Sequence, residues 1–190
     1  MYAEKLGMRL FTGIDLPADV GERLKRLLVL LRPKAQLKWS PIDNLHITTK
    51  FIGEWPEGQL DSLKSALGSL GRRSPIPIVV EGLGWFPNPH QPRVFWVGVQ
   101  GGQALSDLAR GIQQALEPLG IAPESKPYAP HITLARVAQP VPLSAVQQAV
   151  ASLESVEFGT FQAACFFLYR SHSGPAGSVY TKLSEFRFSA

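Results

Sequence analysis

Two short stretches, Leu45-His46-Ile47-Thr48 and Pro130-His131-Ile132-Thr133, stand 85 residues apart in this chain. A second pair of landmarks, Arg9-Leu10-Phe11 and Arg93-Val94-Phe95, stands 84 residues apart. A nearly constant offset through two matched pairs predicts an internal duplication. Array logic needs three or more copies. With two, the expectation is a pair of facing lobes with a cleft between them.

Hydrophobic spacing supports the repeat. In the first half, residues 8–15 read as a strand. Val20, Leu24, Leu27, Leu28 and Leu31 then recur at helical spacing, with Pro17 early in that helix and Pro33 at its end. Residues 45–53 read as a strand. Leu60, Leu63, Leu67 and Leu70 mark a second helix, and residues 76–84 are strand-like. A proline-rich loop, Phe86 to Pro92, separates the halves. The order then recurs: strand 93–99, a helix on Leu105, Leu108, Ile112 and Leu116, strand 131–137, and a helix on Leu143, Val146, Val150 and Leu153. A long strand-like run from Val156 to Arg170 follows, then a Gly/Ser/Pro loop and a last strand near Val179 to Leu183. The expected unit is one bilobal domain over 1–190, with halves of roughly 8–85 and 93–185.

Composition narrows the function classes. The chain of 190 residues is 45% hydrophobic and 18% charged, which excludes disorder for most of its length. Its single cysteine, Cys165, lies in an apolar run and is expected in the core; it excludes an intramolecular disulfide and a multi-thiolate zinc site. No apolar run of membrane-spanning or signal-peptide length is present. The expectation is a monomer in a reducing, cytosolic setting, with no membrane association. The formal net charge is +4, unevenly spread. Arg23, Lys25, Arg26, Arg32, Lys34, Lys38 and Lys50 face only Asp43 within residues 23–50, a local net of +6. Such a patch attracts phosphates, although basic runs are commonly no more than solvated helix faces.

The two motifs carry the chemistry. Only six threonines occur in the chain, yet two of its four histidines have threonine two residues on. On a strand, alternate side chains share a face. His46 and Thr48 therefore face one way, with Leu45, Ile47 and Phe51 opposite; His131 and Thr133 pair likewise, with Ile132 and Leu134 behind. Two imidazoles near neutral pKa supply a general acid and a general base. Two hydroxyls donate hydrogen bonds to phosphate oxygens as negative charge develops. The kit suits phosphodiester cleavage without a metal or other cofactor. No carboxylates stand at ligand spacing beside the histidines, and no Gly-x-Ser-x-Gly elbow for acyl transfer is present.

On these residues the chain resembles the two-histidine (2H) phosphoesterase superfamily, whose signature is a pair of H-x-T-x motifs, here His46-Ile47-Thr48-Thr49 and His131-Ile132-Thr133-Leu134. The stretches MRLFTGIDLP, WSPIDNLHITTKFIGEW, PYAPHITLARV and LYRSHSGPAGSVYTKL resemble the bacterial and archaeal RNA 2′,3′-cyclic phosphodiesterase branch, formerly called 2′-5′ RNA ligases. The resemblance implies an α+β fold with two pseudo-symmetric lobes, each an antiparallel sheet with flanking helices, and one motif on each side of the cleft. It implies opening of a terminal RNA 2′,3′-cyclic phosphate by water to a 2′-phosphate. The same site run backwards implies 2′-5′ joining of RNA ends. The roles implied are His46 as proton donor, His131 as proton acceptor, and Thr48 and Thr133 as phosphate contacts. Arg136 corresponds to a family arginine three residues after the second threonine. Strict alternation puts it on the face opposite His131, so it reaches the cleft only if the strand ends, twists or bulges. Lys50 has the parity of His46 and is a simpler phosphate neighbour.

Tyr128 and Trp39 flank the motifs, and either aromatic suits a stacked terminal base. His90 reads as a loop residue, and His172 as a loop residue or a contact at the cleft rim. Other readings stay open at this point. One is a phosphodiesterase for a small cyclic nucleotide or an ADP-ribose derivative; another is an RNA-end binding module without turnover.

Overall fold

Helical spacing and the punctuation around it produce the helices. In the computed structural model, which describes residues 7–175 and 177–189, the strand β1 (Gly7–Asp15) leads into α1 (Ala18–Leu31). Pro17 caps α1 in an extended conformation instead of lying inside it. Val20, Leu24, Leu27, Leu28 and Leu31 are its buried stripe, and the chain then tightens into a short 3₁₀ turn through Pro33. The remaining elements of the first half are β2 (Lys38–Trp39), β3 (His46–Pro56), α2 (Leu60–Gly68) and β4 (Ile76–Phe86). The second half gives β5 (Val94–Gln100), α3 (Gly102–Leu116), β6 (His131–Arg136), α4 (Ser144–Ala151), β7 (Glu157–Ala163), β8 (Cys165–Gly174) and β9 (Gly177–Arg187). Gly120, at φ 82°, ends the helical turn that follows α3.

The strands form two antiparallel sheets, of order β3-β1-β8-β9 and β2-β6-β5-β4-β7. The class is α+β with two lobes, as the sequence leads one to expect. The lobes, however, are not the sequence halves. In each sheet the first and second principal strands of one half (β1 and β3, or β5 and β6) lie beside a strand of the other half: β8 pairs with β1, and β4 pairs with β5. The run Val156 to Arg170, which reads as one strand, divides at Ala164 into β7 and β8, which belong to different sheets. One continuous apolar core serves both sheets, with Leu10, Ile14 and Ile47 from one, and Phe95, Val97 and Ile132 from the other. Cys165, expected within that core, is only half-buried at the start of β8, where it pairs with Arg187.

Each motif strand carries an irregularity at the same place. Thr48 pairs with Gly13 and Lys50 with Thr12, so Thr49 is an extra residue in β3. Thr133 pairs with Trp96 and Ala135 with Phe95, so Leu134 is an extra residue in β6. A bulge of this kind reverses which face the following side chains take. Thr49 turns into the core and shares a 2.7 Å hydrogen bond with Thr12.

Candidate active site

A cleft of about 320 Å³ lies between the two sheets, lined by His46 and Thr48 from one and by His131 and Thr133 from the other. Strand parity therefore orients both motifs as the sequence suggests. Ile47, Ile132 and Leu134 form the buried backing.

Each imidazole is set by its own backbone. Nδ1 of His46 lies 2.7 Å from the Asn44 carbonyl, and Nδ1 of His131 lies 2.8 Å from the Ala129 carbonyl. A carbonyl only accepts, so Nδ1 carries the hydrogen in both rings and Nε2 is left for exchange with a substrate. Nε2 of His46 is 2.8 Å from the Thr48 hydroxyl. Aromatic rings wall in each imidazole. Phe11 and Tyr180 lie 4.8 and 5.4 Å from His46, centroid to centroid. Phe86 stands edge-on to His131 at 5.1 Å. Gly13 lets β1 pass close behind the first motif: a Cβ there would sit 2.9 Å from the Ile47 carbonyl and 3.2 Å from the His46 ring.

The bulges decide the next positions. Lys50, expected beside the phosphate, is turned away from the cleft and buried. Its Nζ donates to the Ala122 carbonyl and to Glu124, both at 2.9 Å. Phe51, expected on the back face, is instead in the cleft wall with its side chain largely exposed. The same reversal in β6 buries Ala135 and brings Arg136 into the cleft. Arg136 thus reaches the site by the bulge that alternation alone does not supply.

Tyr128 is not among the described residues lining the cleft. It is largely buried, and its hydroxyl donates at 3.0 Å to the Thr48 carbonyl, tying the approach to the second motif to the strand of the first. Burial pushes its pKa up, so it remains a hydroxyl donor. Trp39 does line the cleft. His172 is exposed on β8, and His90 lies in an exposed loop; neither is among the described residues lining the cleft.

Sequence reasoning missed Phe51, Phe11, Tyr180, Ser178 and Ser40, all in the wall. Tyr180 and Ser178 come from β9, more than 130 residues from the first motif, and no local spacing points to them. Ser40 has a backbone reason for its place: its hydroxyl donates at 2.8 Å to the Thr133 carbonyl. The basic run also disperses. Arg23 reaches the Phe158 carbonyl on β7, Lys25 pairs with Glu22, and Lys50 is buried.

Burial lowers the pKa of both histidines from the ordinary 6.5. Their surroundings then differ. After burial, His46 is pulled back up by the Asn44 carbonyl and by the Asp15 carboxylate, while His131 and Arg136 push it down. His131 is raised by the Ala129 carbonyl and lowered by Arg136. Asp15 itself is held by the Tyr169 hydroxyl and the Lys182 ammonium.

Paired imidazoles and hydroxyls, one set from each of two antiparallel sheets, define a two-histidine phosphoesterase. A family model described as "LigT like Phosphoesterase" matches residues 14–96 and again 97–180. The chain belongs to the LigT-like phosphoesterase family. It is similar to an RNA 2′,3′-cyclic phosphodiesterase of Methanothermobacter thermautotrophicus, with 34% identity over 95% of this chain and 98% of the relative. Among solved structures it resembles the Thermus thermophilus protein TT0787, at 33% identity and TM-score 0.80, over 95% of this chain and 98% of that one. It also resembles E. coli LigT complexed with 3′-AMP, at 25% identity and TM-score 0.78, over 97% and 99% of the two chains. Among the described residues, no helix is long and apolar enough to cross a membrane.

Proposed function

We propose that the cleft hydrolyses RNA 2′,3′-cyclic phosphate ends to 2′-phosphates, with His46 as general acid and His131 as general base. Water attacks phosphorus and the P–O3′ bond breaks. His131 Nε2 takes the proton from the water, and His46 Nε2 gives one to the departing 3′-oxygen. The product carries a 2′-phosphate and a free 3′-hydroxyl, and the two histidines have exchanged protonation states. Thr48, Thr133 and Arg136 are assigned to the phosphate oxygens. The strained ring needs positioning and proton transfer above all.

The observation that carries this reading is that both imidazoles line one cleft, one from each sheet, with each Nδ1 held by a backbone carbonyl so that Nε2 is the atom left for exchange. Asp15 favours charge on His46 and not on His131, against the burial, His131 and Arg136 that disfavour it; the order of roles is part of the proposal. Relatives named RNA 2′,3′-cyclic phosphodiesterase support the substrate class. Metal independence is part of the proposal. It rests on the donor set, since the described residues lining the cleft offer imidazole, hydroxyl, amide and cationic groups and no carboxylate.

The test is a chelator-treated assay on a short RNA ending in a 2′,3′-cyclic phosphate, with the product resolved. A 2′-phosphate, lost in His46→Ala and in His131→Ala, is expected. Normal turnover by either variant overturns the mechanism. Salt-sensitive binding without turnover replaces it with an RNA-end binding module.

A further inference from the structure

We infer that the RNA strand upstream of the reacting phosphate leaves the cleft over Trp39 and runs along Arg32 and Lys34. This rests on the reading above of the cleft as an RNA-end site. The cleft continues into two different depressions. Beyond Asn44, His46 and Tyr180 lies one bordered by the carboxylates of Asp15, Glu22 and Asp43, with Lys182 as its cation. At a different part of the wall, Trp39 is shared with a depression of about 590 Å³ bordered by Arg32, Lys34 and Gln36. A polyanion is repelled from the first mouth and attracted to the second.

The cationic side is also built to hold a strand. Lys38 stands opposite Arg136 in the β2–β6 pair, so the cations begin at the cleft wall. Trp39 is clamped: its indole donates at 3.1 Å to the Ala35 carbonyl and meets Phe95 edge-on. A fixed, half-buried indole between cations is a stacking surface for a base. Arg32 and Lys34 follow on the 3₁₀ turn after α1, both exposed. Arg32 donates at 2.9 Å to the carbonyl of Ser40, itself a cleft residue, which fixes that turn against the site. Among the described residues, none of Arg32, Lys34, Lys38 or Arg136 pairs with a carboxylate. The sequence from Arg32 to Ile42 holds no acid. A cyclic phosphate sits on a 3′ end, so the strand in this groove is the one 5′ to it.

The experiment compares a 2′,3′-cyclic mononucleotide with cyclic-phosphate oligonucleotides of increasing length, in the wild type and in the double variant Arg32→Gln, Lys34→Gln. Wild-type kcat/KM is expected to rise with length. The variant is expected to lose on the order of ten-fold on the longer substrates, and its salt slope to flatten by about 1.4, at 0.7 per lost phosphate contact. Hydrolysis of the mononucleotide, which does not reach the groove, should fall far less than that of the longer substrates, since only the Arg32 bond to the Ser40 carbonyl touches the cleft. Glu22→Gln, at the acidic mouth, should leave the length effect intact. A wild type indifferent to length, or a variant that keeps the full length gain, overturns the groove. Binding of an oligonucleotide ending in 2′-phosphate separates the two readings. A salt slope that depends on Arg32 and Lys34, with no hydrolysis of any cyclic phosphate, upholds the groove and removes the proposed reaction.

Discussion

At the bulge after the first histidine the chain turns Phe51 into the cleft; at the same point after the second it turns Arg136 there. One position back, the first half buries Lys50 against Glu124 and the second buries Ala135. The duplicated backbone is kept, and the side chains it presents have diverged. The first half-site gathers aromatic rings, Phe11, Phe51 and Tyr180, around His46, with Asp15 behind it. The second also has aromatic rings, Phe86 and Trp39, and adds positive charge, Arg136 and Lys38, beside His131. A symmetric reaction would want two equal halves. Hydrolysis of a nucleotide phosphate wants an acid, a base, a place for a base ring and a place for negative charge, and such a division can be tested half by half.

The largest effect should come from the histidines. His46→Ala and His131→Ala should each cost about 10²- to 10⁴-fold in kcat. A substrate with sulfur in place of the 3′-oxygen sharpens the contrast, because a thiolate leaves without a proton. On it, His46→Ala should recover most of its rate while His131→Ala stays slow; equal losses would show that the two rings are not divided into acid and base. Next, Arg136→Gln should lower kcat by about 10²- to 10³-fold, the loss expected for a group facing developing charge. Phe51→Ala should act mainly through KM, by roughly ten-fold, as for a lost stacked base. A fall in kcat for Phe51→Ala equal to that of Arg136→Gln would erase the distinction between the halves.

Acidity gives a smaller signal with a definite sign. Both imidazoles titrate below 6.5 in the free protein, so the form with His46 charged and His131 neutral is most populated on the acid side of 6.5. The maximum of kcat/KM should lie there. A bound phosphate raises the proton affinity of His46, so the descending limb of kcat should lie at higher pH than that of kcat/KM. Coincident limbs, or an optimum on the alkaline side of 6.5, would contradict the assignment. The smallest effect on catalysis should come from Lys50→Met. It leaves the Ala122 carbonyl without its donor and should lower unfolding stability by about 1–3 kcal/mol in urea titrations. The mononucleotide rate should stay within a few-fold of wild type. A large catalytic loss would return Lys50 to the phosphate, where simple alternation puts it.

That last contrast shows where sequence reading succeeds and stops. The motif pair, the helical stripes and the facing of His46, Thr48, His131 and Thr133 all follow from short-range periodicity, and all are in the structure. Periodicity fails one residue later. A bulge is an extra residue in a pairing between strands, and neither Thr49 nor Leu134 carries a side chain that announces it. Trp39 lies on a two-residue strand, too short to show any period. Ala164, where one apparent strand becomes two in different sheets, looks like its neighbours. Such features are set by contacts between distant segments, as are Ser178 and Tyr180 in the cleft wall.

The crossing of β4 and β8 between the halves has a consequence for how the molecule comes into being. Each half, cut out alone, would leave one side of its first strand with open hydrogen-bonding groups, because the strand that covers β1 is β8 and the strand that covers β5 is β4. An exposed edge of that kind seeks another strand. A lone half would find the missing cover in a second copy of itself, by exchange of the crossing strand. Joined in one chain, each half takes that cover from the other, so both sheets, and with them the settings of both imidazoles, are complete only when the whole chain has folded.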